Sequence, residues 1–339
     1  MFRKKRVLSF ILACIVLATF ISCGASKKGE VVEEESSDLI VVGFSQPGAE
    51  SAWRVALTDS VKEAFSESKG YKLIYKDGQS KQDNQIRDIR TFIQQGVDYI
   101  ILSPIVETGW DTVLSEAKQA GIPVIICDRN VNVSNEALYT AFVGSDFKSQ
   151  GEAAVSYLEK MYDSDGDGVT EDLNIVHIQG TLESSAQLGR SKALAKAMEE
   201  HSNWNIVAED CGEFTKAKAR EIMENTLEEV NPSDIDVLYC ENDEEAMGAI
   251  AALNEAGVKY GVGSKITVVS FDATRNALEL CMNGQINFVV ECNPLQGPYL
   301  YNIVNMLNQG KTVPKITYVD ENTFTPDELT EDYIQNRKY

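Results

Sequence analysis

Histidine is almost missing from this chain, which carries two in 339 residues. His177 sits inside an apolar strand-like run and His201 near the end of a helical pattern, and both read as structural. There is no GxSxG or HExxH, so the usual serine-hydrolase and zinc-hydrolase signatures are excluded. Phosphate loops are lacking too. GVGSK has no later glycine for a dinucleotide turn, and NMLNQGKT puts Asn305 where a P-loop needs glycine. Seven cysteines include no CxxC pair, which argues against a zinc ribbon or a redox motif. Positive charge is scarce, with 31 Lys and Arg against 52 Asp and Glu, a net −21. Such a field disfavours nucleic acid and adhesion to anionic lipid headgroups. Long apolar runs are absent beyond residues 7–21.

That one run defines the N-terminus. MFRKKR is a basic start, VLSFILACIVLATFI an apolar middle, and FISC its end, too short for a spanning helix. Small residues before Cys23 resemble the lipobox of bacterial lipoproteins. Residues 1–22 are expected to be a signal peptide, with Cys23 lipidated and membrane-attached. Residues 23–37 are polar, charged and without hydrophobic period, a flexible tether. Losing Arg3, Lys4, Lys5 and Arg6 with the leader leaves 27 basic residues against 52 acidic ones, a net −25. Five cysteines remain in the body: Cys127, Cys211, Cys240, Cys281 and Cys292. An odd count cannot pair fully, and most are read as small buried apolar residues, one disulfide being left open.

Apolar runs of strand length alternate with helical patterns along the rest. IVVGFS, KLIYKD, YIILSP, PVIICD and TAFVGS fill the first half; NIVHIQG, IVAEDCG, DVLYCEN, ITVVSFD and NFVVEC fill the second. Continuous apolar strands with intervening helices predict parallel sheets covered on both faces. The fold class is therefore α/β, two doubly wound parallel-sheet lobes joined by three crossings. The expected lobes are residues 38–145 plus 293–320 and residues 146–292 plus 321–339, hinged near Ser145, Asn293 and Asp320. Ligands of such sheets sit outside the carboxyl ends of the strands. Gln46, Glu50, Asp77, Asp128, Arg129, Asp146, Asn242, Asp243, Asp272 and Glu291 all fall there. Carboxylates accept from hydroxyls, Arg donates as a fork, Asn does both, and Trp53 and Phe214 can cover C–H faces. That chemistry suits a polar, uncharged small molecule.

The segments VGFSQPGAESAWR, DGQSKQDNQIRDIRTFIQQGVD, VETGWDTVLSEAKQAGIPVIICDR and GEFTKAKA resemble the type I periplasmic sugar-binding proteins of ABC transporters. The similarity is to the ribose- and galactose-binding group, nearest its galactofuranose-binding members, from Leu39 onward. The resemblance implies a periplasmic binding protein fold, a monosaccharide ligand, no catalysis, a monomer, and an ABC permease and ATPase as partners. A sensor handing its bound form to a membrane chemoreceptor or kinase is the alternative. The lac-repressor group shares the fold, but a leader and acidic tether stand where its DNA-binding motif would be. Position by position, the resemblance gives Asp128 and Arg129 the sugar hydroxyls, with Asn242 and Asp272 facing them from the second lobe. Phe214 would stack on the ring, Glu291 stands where ribose binders carry Gln, and Lys216 replaces an Arg. Glu50, Trp53 and Arg54 match the galactofuranose binders. Leu188 lies where ribose binders place an Arg, and Gln187 offers no substitute charge, so a plain ribose site is not expected.

DSDGDGVTED carries Asp163, Asp165 and Asp167 at positions 1, 3 and 5 of a calcium loop, with Gly168 at the sixth. The Val169 carbonyl and Glu171 would follow at positions seven and nine, but Asn174 replaces the bidentate Glu at twelve. The glucose/galactose-binding protein, which the chain also resembles, implies that Asp236 supplies the missing acid. A structural calcium ion is the expectation.

Overall fold

The computed structural model describes residues 39–163, 166 and 168–339. The leader, the tether, Cys23, Asp165 and Asp167 lie outside the described residues, and so does Asp38. Among the described residues no helix is long and apolar enough to cross a membrane.

The first lobe holds β1 (Ile40–Gln46), β2 (Tyr71–Asp77), β3 (Tyr99–Leu102), β4 (Val124–Asp128) and β5 (Ala141–Gly144), with α1 (Ala52–Ala64), α2 (Gln82–Gln95) and α3 (Asp111–Gln119) between them. The second begins with α4 (Phe147–Tyr162). It continues through β6 (Leu173–Gln179), α5 (Ser185–Glu200), β7 (Trp204–Cys211), α6 (Lys216–Glu229), β8 (Val237–Cys240), α7 (Asp243–Glu255), β9 (Thr267–Asp272), α8 (Arg275–Met282) and β10 (Phe288–Glu291). The chain then returns as α9 (Gly297–Asn308) and β11 (Ile316–Tyr318), crosses again as β12 (Thr323–Phe324), and ends in α10 (Glu331–Gln335).

Strand order is β11-β5-β4-β3-β1-β2 in one sheet and β12-β10-β9-β8-β6-β7 in the other. All pairings are parallel except β10 with β12. The expected two-lobed α/β fold is the one found. Each central strand buries both faces, as continuous Val/Ile runs require. In β4, Ile125 and Cys127 join one core and Val124 and Ile126 the other. The same alternation in β8 sends Leu238 and Cys240 to one side and Val237 and Tyr239 to the opposite one. Edge strands β2 and β7 are only half buried. All five described cysteines are free, four of them buried and Cys211 partly so.

Each sheet reverses its winding beside its first strand: β1 lies between β2 and β3, and β6 between β7 and β8. A crevice opens at such a switch point. Helices begin there with side-chain caps: Ser51 Oγ accepts from Arg54 N and Asn242 Oδ1 from Glu245 N, each satisfying an otherwise orphaned N–H. The three crossings are tied together by Glu321. Its carboxylate accepts from Ser145 Oγ (2.5 Å), Asn293 N (2.8 Å) and Gln150 Nε2 (2.8 Å).

Candidate functional site

Between the carboxyl ends of the two sheets lies a narrow cavity of about 20 Å³. Asp128 and Asp272, each ending the fourth strand of its lobe, face it with backbone φ of +63° and +105°. L-residues enter that region at a cost, and such positions gather at functional sites.

From the first lobe, Arg54 is the organiser. Its Nε donates to Glu50 Oε1 at 3.0 Å and its NH1 to Asp128 Oδ2 at 2.5 Å. Ser103 Oγ donates to the same Asp128 oxygen at 2.9 Å. Arg129 NH1 donates to the Ile105 carbonyl at 3.2 Å, and its head lies 3.9 Å from Glu50. Burial and the neighbouring Arg54 charge pull Arg129 down to a pKa of about 10. Burial pushes the Glu50 carboxyl up, but Arg54 and Arg129 outweigh it, and its pKa ends below the ordinary carboxylate value. Glu50 Oε2 is buried and has no hydrogen-bond partner. The Trp53 indole N–H is committed to the Cys292 carbonyl at 2.5 Å, which fixes the ring at the cleft wall.

From the second lobe come Arg190, Phe214, Asn242 and Asp272, with Phe147 and Ala186. Arg190 Nε and NH2 donate to Gln150 Oε1 at 3.1 and 2.8 Å, and NH1 donates to the Glu241 carbonyl. Its guanidinium lies 4.6 Å from the Phe271 ring centre, 5.4 Å from that of Phe147 and 3.6 Å from Asp272 Oδ1. Burial raises the Asp272 pKa well above the carboxylate range; Arg190 opposes this and Asp243 and Asp128 add to it. The Phe214 ring lies over Gly180, where a Cβ would come within 1.9 Å of it, so only glycine permits the approach. Arg129 reaches across from the first lobe, 5.1 Å above that ring. Three guanidinium groups thus face three carboxyl groups around one cavity, walled by aromatic rings. Such fixed donors and acceptors suit a ligand rich in hydroxyls.

A periplasmic binding protein domain matches residues 42–312. The galactofuranose-binding protein YtfQ of Escherichia coli is 36% identical over 295 residues, covering 86% of this chain and 90% of that protein. A Mycobacterium smegmatis structure in complex with β-D-fucofuranose superposes with TM-score 0.79 at 38% identity, covering 85% of this chain and 92% of that one. The binding component of the arabinose ABC transporter of Shewanella, bound to α- and β-L-arabinofuranose, gives TM-score 0.80 at 35% identity, covering 88% and 95%. The chain belongs to the periplasmic binding proteins.

In this periplasmic binding protein eight of the ten expected cleft residues line one cavity: Glu50, Trp53, Arg54, Asp128, Arg129, Phe214, Asn242 and Asp272. Two do not. Lys216 begins α6 with its side chain exposed, outside the cavity lining. Glu291 is buried in a different contact, accepting from Tyr339 OH at 2.7 Å and meeting Arg337 NH2 at 2.8 Å. It fastens the C-terminal segment. The expectation that Leu188 and Gln187 leave the second-lobe wall without a charge is also corrected. Leu188 is 41% exposed and Gln187 bonds Ser191, but Arg190, one helical turn after Ala186, supplies the charge. The argument against ribose therefore loses that premise. The i, i+4 spacing from Ala186 on a cleft-facing helix is the signal that points to Arg190.

In the loop after α4, Asp163 accepts from Gly166 N at 2.9 Å and Gly168 N at 3.1 Å. Asp236 is already engaged, Oδ2 by Asn174 N at 2.9 Å and Oδ1 by Lys265 Nζ at 3.2 Å. Val169 and Glu171 lie on the surface. A cation here would have to draw Asp236 away from Lys265.

Proposed function

We propose that this periplasmic binding protein is the ligand-binding component of an ABC sugar importer and holds a monosaccharide in furanose form, galactofuranose or a related hexose. The observation that carries the reading is the ring of three arginines and three acids drawn from both lobes. Fixed donors and acceptors against aromatic walls match a ring of hydroxyls with apolar C–H faces, and a site so built rejects ligands lacking a matching hydroxyl. Three similar proteins, described as binding galactofuranose, fucofuranose and arabinofuranose, agree on the ring size. The protein acts as a monomer, lipid-anchored through Cys23 outside the cytoplasm, and delivers its ligand to a permease and ATPase without altering it.

Calorimetry over D-galactose, D-fucose, L-arabinose, D-ribose and D-glucose tests this, with the bound sugar recovered and analysed. Preference for sugars able to present the furanose ring, recovered unchanged, is expected. Equal, weak binding of all five, or a converted product, overturns it. Cys23→Ser should release the chain from membranes.

A further inference from the structure

Beside the inner cavity lies a second compartment of about 290 Å³, part of it open to solvent. Both lobes build it: Pro47, Ser80 and Ile105 on one side, Thr181, Leu182 and Glu213 on the other. It shares Glu50 and Arg129 with the inner cavity, so the two are neighbours across those side chains. One Glu50 oxygen is buried there without a partner.

The backbone marks the same region. All eight described non-glycine residues with positive φ lie in or next to the linings of the two compartments or within two residues of them. Asp128, Phe214 and Asp272 belong to the inner one and Ser80 and Glu213 to the outer, while Gln79, Glu183 and Ala273 are close along the chain. Strain of this kind persists where surrounding structure enforces it and concentrates at ligand sites. The outer lining is amphipathic in the manner of a sugar site. Leu182 is 48% exposed, Ile105 and Pro47 face it as apolar surface, and Ser80 and Thr181 carry hydroxyls.

We infer that the outer compartment holds a second sugar unit, so that the protein takes up furanosides, with the furanose ring in the inner cavity and the glycosidic partner outside. The inference rests on the furanose reading and deepens it. A free hexose equilibrates between ring forms and is mostly pyranose. A glycosidic bond at the anomeric carbon locks the five-membered ring, so the whole ligand population is competent and the selection penalty on apparent affinity vanishes. The compartment supplies the room that such a substituent needs.

The test measures affinities of D-galactose, methyl β-D-galactofuranoside and a β-galactofuranosyl disaccharide for the wild-type protein and for Thr181→Trp, which fills the outer compartment. The disaccharide should bind at least as tightly as the free sugar. The variant should weaken the disaccharide at least tenfold more than the methyl furanoside. Wild-type binding of galactose or the methyl furanoside with the disaccharide tenfold weaker overturns this inference and leaves the furanose reading standing. Failure of all three ligands overturns both. Equal loss of both furanosides in a variant that melts like the wild type overturns the assignment of the compartment, and the wild-type comparison stands even if the variant does not fold.

Discussion

Glu50 divides its carboxylate between two duties. Oε1 holds Arg54 in place, while Oε2 is buried with no donor. A buried acceptor left unpaired costs about 1–3 kcal/mol, and a ligand hydroxyl relieves that cost. Glu50→Gln should therefore weaken sugar binding by roughly tenfold, about 1.4 kcal/mol, measured by calorimetry. Arg129→Ala removes a cation that Glu50 and Asp128 both face. Breaking such a buried set costs about 3–5 kcal/mol, so sugar binding should fall by two orders of magnitude or more. Binding equal to wild type would place the ligand elsewhere. These first-lobe residues are legible in the chain because they are local: the turn after β1 and the Asp-Arg pair at the end of β4 close strand-like runs. Arg190 could not be placed by matching alone, since a shift of two residues within α5 moves a side chain to another face. The contact of Glu291 is illegible in the sequence for a different reason. Its partners Arg337 and Tyr339 lie 46 and 48 positions away, and only the folded C-terminal segment brings them together.

Among the elements, the ten long strands announce themselves as apolar runs, whereas β11 and β12, of three and two residues, are too short to carry a period. His177 is likewise explained only by neighbouring strands. It lies on β6 and bonds Glu209 of β7 at 2.8 Å and Glu241, just after β8, at 3.1 Å. Burial lowers its pKa, but the two carboxylate bonds outweigh that and bring it to about 9. A histidine with a raised folded pKa contributes stability that is complete below its unfolded value near 6.5 and is lost as pH rises through about 9. Glu209 is 43% exposed on its side chain, so solvent screens one of the two bonds, and the loss is on the order of 2 kcal/mol. The melting temperature should fall between pH 6.5 and 9, and His177→Gln should flatten that fall. An unchanged slope in the variant would assign the effect to other groups. The loop between α4 and β6 offers a second test at this scale. If calcium binds at Asp163, Asp165 and Asp167, it binds the folded state alone and stabilises it by mass action. Chelator should then lower the melting temperature, and Asp167→Ala should abolish the response. No change with millimolar calcium or chelator would leave Asp236 to Lys265 and the loop a solvated turn.

For the whole molecule, the decisive feature is that the cavity belongs to neither lobe. Arg129 and Trp53 come from one side, Arg190 and Asp272 from the other, and the chain passes between the lobes at three crossings clasped by Glu321. Away from the crossings, two contacts bridge the mouth of the cleft: Glu107 N donates to the Glu183 carbonyl at 2.9 Å, and Asn130 N to Ser185 Oγ at 2.8 Å. Both exist only when the lobes are together, so they favour the closed form whether or not sugar is present. A ligand shifts an opening equilibrium only by binding one form better than the other, and a site completed from both lobes does that. Solution scattering should show contraction on saturation with the sugar, and superimposable curves would refute closure. Ser185→Ala removes one bridge without touching a group placed on the ligand. The closed fraction of the free protein should drop, and the apparent affinity should fall in proportion to that fraction. The expected loss is about fivefold for a bond worth roughly 1 kcal/mol, appearing chiefly as faster release. An affinity unchanged from wild type would show that the bridge contributes nothing to closure, leaving the sugar itself to hold the lobes together.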